Sequence, residues 1–578
     1  MPALSLFLVL AGAHVMMLAG REVPVSMLSP VAYLWQDALV ALVFGVLARF
    51  VRRPFVVWSV YGAIVAYVAL NVVVARVLPS PLTPAMLRAA RGTLADSITL
   101  YVTPGNLALC LGIVALAAVL PLVLGRVRLA GAPVLVVLGL ALVAGGPFAA
   151  GRIETGGWHR NAFGALLPSR VPAASGDEAP RDWRQSPFAD AAGGTDLARF
   201  RGAAQGRNVV VVVHESVGAR YLAPYGAEED PMPNLTRLAT EGLLFESAYS
   251  AYPESIKGLF AVLCSRHPAV GVDVEAHAAA ECRSLAGILR DRGYRTGLFH
   301  SGRFGYLGMR GIVEGRGFDW LADAGTLGGR QDSSFGIDEA STVEAMLAWI
   351  DGGANTPFFL VYLPIAGHHP YATTAPGPFP PSDDRHRYLN AIHEADLAFG
   401  QLRAGLEARG LDDETLYVVF GDHGEAFGQH PGNIGHSFFL YDENVRVPYV
   451  IAAPGRLGGP IRAGQTVSVV DTAPTVLELL GEPVPKGHEG ISALDGRARM
   501  AFFVTDYAQS WLGLIDGCHK LLYELDAAAS ELYDLCADPL ETADLSESEA
   551  GRVEAYARRL TSWAAVTRAA VLDRQQPR

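Results

Sequence analysis

Two patterns of hydrophobicity divide the chain. Over the first 150 residues apolar side chains run almost unbroken, in the stretches Leu4 to Leu18, Val31 to Leu47, Phe55 to Val77, Leu107 to Leu124 and Leu129 to Phe148. A bilayer core takes roughly 20 mainly apolar residues per spanning helix, so this half predicts five membrane-crossing helices. The first run is short enough to be confused with a secretory signal. No basic residues follow Met1 and no small-x-small cleavage site closes the run, so it reads as a retained helix. From Gly151 to Gly206 the chain turns polar and rich in Gly, Ala, Pro and Asp, which predicts a linker with one short amphipathic turn on the membrane. Beyond it come short, continuous, β-branched runs such as Asn208 to Val213, Phe358 to Leu363 and Thr415 to Phe420. They have the pattern of parallel strands buried on both faces. The expected organisation is a transmembrane domain over 1–150, a linker over 151–206, an α/β domain over 207–500 with a central, mostly parallel sheet, and a small C-terminal subdomain over 501–578 that belongs to it.

Charge sets the orientation. Arg49, Arg52 and Arg53 lie between the second and third runs, and Arg126 and Arg128 between the fourth and fifth. Positive loops resist translocation, so both loops read as cytoplasmic and everything beyond about residue 150 as extracytoplasmic. Arg88 and Arg91 oppose this from the outer segment Pro79 to Asn106, which also carries Asp96. Composition adds two points. At 51% hydrophobic and a net charge of −12, the chain has no basic surface for nucleic acid. Lysine occurs only at 257, 486 and 520, which suits a GC-rich bacterial genome. Besides Cys110, inside an apolar run, four cysteines fall as Cys264 with Cys282 and Cys518 with Cys536. They read either as two disulfides of an oxidising compartment or as buried free thiols.

Chemistry collects at strand ends. The run from Asn208 ends in His214-Glu215-Ser216, and that from Thr415 in Gly421-Asp422-His423-Gly424-Glu425. Open α/β sheets place their sites at such carboxyl ends. Glu215 alone also reads as a loop or helix-capping carboxylate. Together, Glu215, Asp422 and His423 make a three-ligand set with an open position, suited to manganese or zinc better than to magnesium or calcium.

Pro233 to Ala239 followed by Glu241-Gly242 and Phe245, then Asp422 to Glu425 with Tyr441 to Pro448, Asp471 to Thr475, and Glu531 to Leu535 with Asp538-Pro539, resemble the ordered motifs of the sulfatase and alkaline phosphatase superfamily. With helices in front, the chain is similar to the lipoteichoic acid synthase and phosphoglycerol or phosphoethanolamine transferase branch. The resemblance implies a sulfatase-like fold and a nucleophile at Ser255, which would also ligate the metal. Sulfatases follow that position with x-Pro-x-Arg, the signal for formylglycine, whereas here Ser255-Ile256-Lys257-Gly258-Leu259 lacks both residues. Ser255 is therefore expected to remain a hydroxyl. The transferase branch generally uses Thr there, so Ser is a departure. Cys264 is a second nucleophile candidate, nine residues on. The resemblance also implies substrate-binding roles for His368 in Gly367-His368-His369-Pro370-Tyr371, for His436, and for Arg310, although the tryptophan usual near that arginine is missing. Lys257 offers a point charge for an anionic transition state, or else is a solvated surface lysine. His430 and His436 are candidates for a second metal.

The function implied is transfer of a phosphoglycerol or phosphoethanolamine group from a membrane phospholipid, through a Ser255-linked intermediate, to an envelope glycan, lipid or protein at the bacterial inner membrane. A membrane-tethered sulfatase or phosphodiesterase is the first alternative, and a non-enzymatic envelope sensor or assembly protein the second.

Overall fold

The computed structural model describes the chain apart from residues 1, 22–24, 79, 91–97, 100, 127–131, 154, 156, 168–170, 172–181, 189–193, 331–334, 354–355 and 574–578. Arg91, Asp96 and Arg128, used above for orientation, and much of the expected linker lie outside the described residues. In the first half, α1 (Pro2–Leu18), α2 (Ser29–Phe50), α3 (Pro54–Val77), a short α4 (Pro84–Ala89), α5 (Pro104–Gly125) and α6 (Ala132–Ala150) follow the apolar runs. Four of them, within α2, α3, α5 and α6, are long and apolar enough to cross a membrane; α1 is apolar but shorter. The outward faces of α5 and α6 leave large apolar side chains uncovered, among them Leu111 and Val137, as lipid-facing surface does. Inside the bundle, Leu6, Val9, Leu10, Val68 and Val72 pack with Tyr61 and Phe44.

The second half centres on an eight-stranded sheet in the order β10-β2-β9-β6-β1-β5-β3-β4. Its strands are β1 (Asn208–His214), β2 (Leu243–Tyr249), β3 (Arg295–His300), β4 (Trp320–Asp323), β5 (Phe358–Leu363), β6 (Thr415–Gly421), β9 (Tyr449–Ala452) and β10 (Ile461–Ser468). The short pair β7 (Ala426–Phe427) and β8 (Ile434–Gly435) lies apart from it. Only β9 runs antiparallel to its neighbours, β2 and β6. In β1 the valines alternate between two cores: Val209, Val211 and Val213 face one side, Val210 and Val212 the other. Each buried valine contributes roughly 1.5–3 kcal/mol, which is why this strand is continuous valine and sits centrally. A separate antiparallel sheet follows, β11 (Met500–Thr505), β12 (Trp511–Asp516), β13 (His519–Glu524) and β14 (Ala529–Asp534), backed by the helix Ala550–Leu572.

Both cysteine pairs are disulfides, Cys264–Cys282 and Cys518–Cys536, so the free-thiol alternative is set aside for those four; Cys110 is a free thiol. The described parts of 151–206 pack closely. His14 Nε2 bonds the Trp158 carbonyl at 2.8 Å, Asn161 Nδ2 donates to Asp37 Oδ1 at 2.8 Å, and Arg160 pairs with Asp526 of the β13–β14 turn. The α3–α5 segment docks too: Thr83 Oγ1 donates to the Tyr507 carbonyl at 2.7 Å, while Leu82 and Met86 pack on Phe438 and Tyr507. The end of the bundle that meets the sheet domain is thus the one where α1, α3 and α6 finish and α2 begins.

Candidate active site and metal centre

The carboxyl ends of β1, β6, β5 and β3 converge on one pocket lined by Glu215, Ser255, His300, Arg303, His368, Asp422 and His436. Just past β1 the chain turns through Ser216 in the left-handed region, φ +60°, a conformation that L-residues other than Gly and Asn seldom adopt. The turn lets Ser216 N donate to Asp422 Oδ1 at 2.9 Å, and His423 N donates to the same oxygen at 2.8 Å. Asp422 therefore keeps Oδ2 for the site. His423 Nδ1 lies 3.0 Å from the Gly424 carbonyl, an acceptor that demands a proton on Nδ1, so in the neutral ring Nε2 carries the lone pair. That lone pair faces Asp422 Oδ2 at 3.4 Å, Glu215 Oε1 at 3.6 Å and Ser255 Oγ at 3.5 Å.

Three buried electron-rich atoms, all within 4.8 Å of one another, repel unless a cation lies among them. Burial pushes the Asp422 carboxyl up, aided by the Glu215 charge and opposed by His423. Burial also acts on Glu215, but His423, His368 and His436 outweigh it and hold that carboxyl down. His423 is raised against its own burial by the two carboxylates. Two carboxylates, one imidazole whose other nitrogen is committed to a backbone carbonyl, and a neighbouring hydroxyl are a donor set that fits a divalent metal ion. The other described cluster, Cys518, Asp534 and Cys536, has its sulfurs in a disulfide.

Ser255 opens the helix α7 (Ser255–Cys264). Glu254 caps it by accepting from Ile256 N and Lys257 N at 3.2 and 3.3 Å, and the Cys264–Cys282 disulfide ties down its far end. The hydroxyl donates to Glu215 Oε2 at 2.7 Å. It thus sits at the positive end of a helix dipole, beside the ligand cluster and inside the pocket. Cys264, disulfide-bonded, is removed as a nucleophile.

His436 stacks on His423 with ring centres 4.1 Å apart, and its Nδ1 meets Glu425 Oε2 at 2.7 Å. Glu425 also accepts from Tyr371 OH at 2.5 Å. Burial tends to raise Glu425, but His436 and these bonds keep its carboxyl below the ordinary value. His368 lies against Phe335, centres 4.4 Å apart, and its ring is 6.3 Å from His436. Its loop touches the end of β1, where a Cβ on Gly367 would fall 2.0 Å from the Glu215 carbonyl oxygen. Glu339, at the start of the helix Glu339–Asp351, holds the same loop by accepting from Ile365 N, Ala366 N and Ser301 Oγ at 2.8–3.0 Å.

Two expected groups lie elsewhere. Lys257 is neither at the pocket nor solvated: it is 7% exposed, its Nζ 2.8 Å from Asp506 Oδ1 and 4.7 Å from the Tyr252 ring. The helical turn from Ser255 carries it to the opposite side. Arg310 stands on the exposed face of a short helix, paired with Glu314 at i,i+4. Arg303, just past the end of β3, lines the pocket instead. The rule that picked out Glu215 and Asp422, a polar residue following a buried strand, also applies to Arg303; its strand, Arg295–His300, is short and contains Gly297, which hid it. His430 stacks on Tyr441 and pairs with Glu443, and with His436 Nδ1 bound to Glu425 the described residues bring no second ligand cluster together here.

Residues 207–482 match the Sulfatase family model. Among curated proteins, the chain is 30% identical over 215 residues to the multifunctional alkaline phosphatase superfamily protein PehA of Trinickia caryophylli, covering 31% of this chain and 40% of that one. It is 22% identical over 302 residues to lipoteichoic acid synthase 2 of Bacillus subtilis, covering 49% and 46%. The chain thus spans less than half the length of either. Among solved structures, the lipoteichoic acid synthase LtaP of Listeria monocytogenes superposes with a TM-score of 0.50 at 18% identity, over 66% of this chain and 96% of that one. Residues 207–482 thus form a domain that matches the Sulfatase family model and shares its fold with solved proteins of the alkaline phosphatase superfamily.

Proposed function

We propose that this protein is a multi-pass enzyme of the bacterial inner membrane, with its catalytic domain outside, that moves a phosphoglycerol or phosphoethanolamine group from a phospholipid to an envelope acceptor. The observation that carries the reading is the Ser255 hydroxyl, 2.7 Å from Glu215 at a helix N-terminus and without the Pro and Arg that would mark it for oxidation. The membrane bundle supports it: Tyr507 and Tyr306 line the pocket while α4 packs behind them, so the pocket is built against the elements that carry it at the leaflet.

Glu215, Asp422, His423 and Ser255 would hold a divalent metal, manganese or zinc by donor type. When bound, it would supply Lewis-acid stabilisation of charge on the attacking oxygen and the phosphoryl group. Ser255 Oγ attacks phosphorus, passing its proton to Glu215 Oε2, which it already faces at 2.7 Å and which returns the proton when Ser255 later leaves, and an O–P bond forms as the bond from phosphorus to the diacylglycerol oxygen breaks. His436, oriented by Glu425, supplies the proton that the departing oxygen needs, and Arg303 and His368 bind phosphoryl oxygens. An acceptor hydroxyl then attacks the same phosphorus, His436 takes its proton, and Ser255 leaves. Incubation of the purified protein with head-group-labelled phosphatidylglycerol or phosphatidylethanolamine tests this: diacylglycerol and a labelled Ser255 peptide are expected.

A second reading, a tethered hydrolase that hands its group to water, is favoured by the Sulfatase family match itself. Formylglycine at position 255 in a peptide mass spectrum would decide for its sulfatase form.

A further inference from the structure

A cavity of about 620 Å³ lies apart from the Ser255 pocket, at the seam of α2, the segment 159–167 and the β13–β14 turn. Its two ends differ in chemistry. At the domain end stand His159, Arg160 and Asp526; at the other, Leu39 and Val40, one turn further along α2. Leu39 begins a stripe with Val43 and Val46, at i, i+4 and i+7, and all three are exposed, the valines by 61% and 59%. On a spanning helix that stripe faces acyl chains.

The polar end is supplied with donors. Trp35 lines the cavity, and its indole Nε1 is buried with no hydrogen-bond partner. A Trp N–H can only donate, and leaving it unmet in a buried site is unfavourable. The ring is held by α6, where a Cβ on Gly146 would fall 2.1 Å from its Cγ, so the indole does not swing away to find an acceptor. His159 Nδ1 is 2.7 Å from Thr155 Oγ1. Burial, chiefly, drives this imidazole down to about 4, so it is neutral near pH 7; in the tautomer in which Thr155 Oγ1 donates to Nδ1, the ring proton stands on Nε2. Arg160 and Asp526, 3.2 Å apart, add charges of both signs. Donors and an ion pair at headgroup depth, above a lipid-facing stripe, match the build of a glycerophospholipid: acceptor oxygens on phosphate and esters, with apolar chains below.

We propose that this cavity binds one glycerophospholipid of the surrounding leaflet, its phosphate or ester oxygens accepting from Trp35 Nε1 and His159, and one acyl chain lying along Leu39, Val43 and Val46. The site rests on α2 spanning the membrane but not on phosphoryl transfer at Ser255. The full-length protein, reconstituted in nanodiscs of phosphatidylethanolamine and phosphatidylglycerol and then moved to mild detergent, is examined by native mass spectrometry. The wild type is expected to retain one phospholipid. Leu39→Trp, which fills the apolar mouth, should abolish retention, and Trp35→Phe, which keeps the ring and removes the donor, should lower it several-fold. Ser255→Ala should retain the lipid whether or not Ser255 is the nucleophile. Equal retention in wild type and Trp35→Phe, or loss of the lipid in Ser255→Ala, overturns the proposal, the latter by placing the lipid in the catalytic pocket. Should Leu39→Trp fail to fold, a phospholipid with a photoactivatable acyl chain gives the same answer in the wild type: crosslinks within Leu39 to Val46 are expected, and their absence contradicts the site.

Discussion

Ser255 Oγ donates to Glu215 Oε2 at 2.7 Å, joining the first turn of α7 to the end of β1. Because Glu215 also faces His423 Nε2, the hydroxyl and the ligand cluster form one unit. The pocket brings to them Arg303, His368 and the His436–Glu425 pair, groups suited to a phosphoryl oxygen or a leaving group.

The crowding of Glu215, Asp422 and His423 predicts a metal-dependent melting temperature. After chelation, adding Mn²⁺ or Zn²⁺ at 100 times its Kd should stabilise the catalytic domain by about 2.7 kcal/mol. In His423→Ala, calorimetry should show no metal-induced shift. A full shift in that variant would place the metal elsewhere.

His436 is expected to carry proton transfer, with Glu425 orienting it. His436→Ala should lower kcat by roughly 10²- to 10⁴-fold while leaving metal affinity close to that of the wild type. Glu425→Gln should give a smaller loss and move the pH dependence of kcat, which a purely structural role for Glu425 would not do.

Arginine placement gives a contrast. Arg303→Ala should raise KM or lower kcat for any phosphoryl donor at least tenfold, whereas Arg310→Ala, on the exposed face, should stay within about twofold, since surface changes of this kind are worth about 0.5 kcal/mol or less. Lys257→Ala should act through stability. It removes the cation from Asp506, which is still bonded by Tyr252 OH and Gly271 N, at a cost of about 2 kcal/mol, read as a lowered melting temperature.

Glu339 makes a pH prediction for stability. Burial, though opposed by its bonds to Tyr362, Ser301, Ile365 and Ala366, pushes this carboxyl up to about 7 from an ordinary 4.5. Between those values the folded state holds a proton that the unfolded state has released, so stability falls as pH rises from about 4.5 to about 7, by roughly 3 kcal/mol. Glu339→Gln should flatten that part of the pH–stability curve measured by denaturant unfolding. An unchanged slope would exclude Glu339 as its source.

Much of this was legible from residue types alone. β1 and β6 announce themselves because strands buried on both faces must be apolar throughout, and Glu215, Asp422 and His423 follow as the polar residues that end them. The apolar runs likewise give the long helices, although α1 falls short of the length that decides a span. What stayed hidden depends on side-chain direction and long-range packing. Nothing local distinguishes Lys257, turned toward Asp506 some 249 positions away, from a lysine beside the nucleophile. The docking of Thr83 on Tyr507, the service of Glu425 to His436, and Glu339 holding the His368 loop each join residues by tertiary contacts that leave no periodic trace.

The most direct test of the central claim is the covalent state of Ser255 during turnover. Full-length protein loaded with metal, mixed with head-group-labelled phospholipid, quenched and digested, should yield a peptide carrying the labelled phosphodiester on Ser255, with one diacylglycerol released per adduct, and none from Ser255→Ala. Transfer by Ser255→Ala at the wild-type rate, or formylglycine at position 255, would contradict the account.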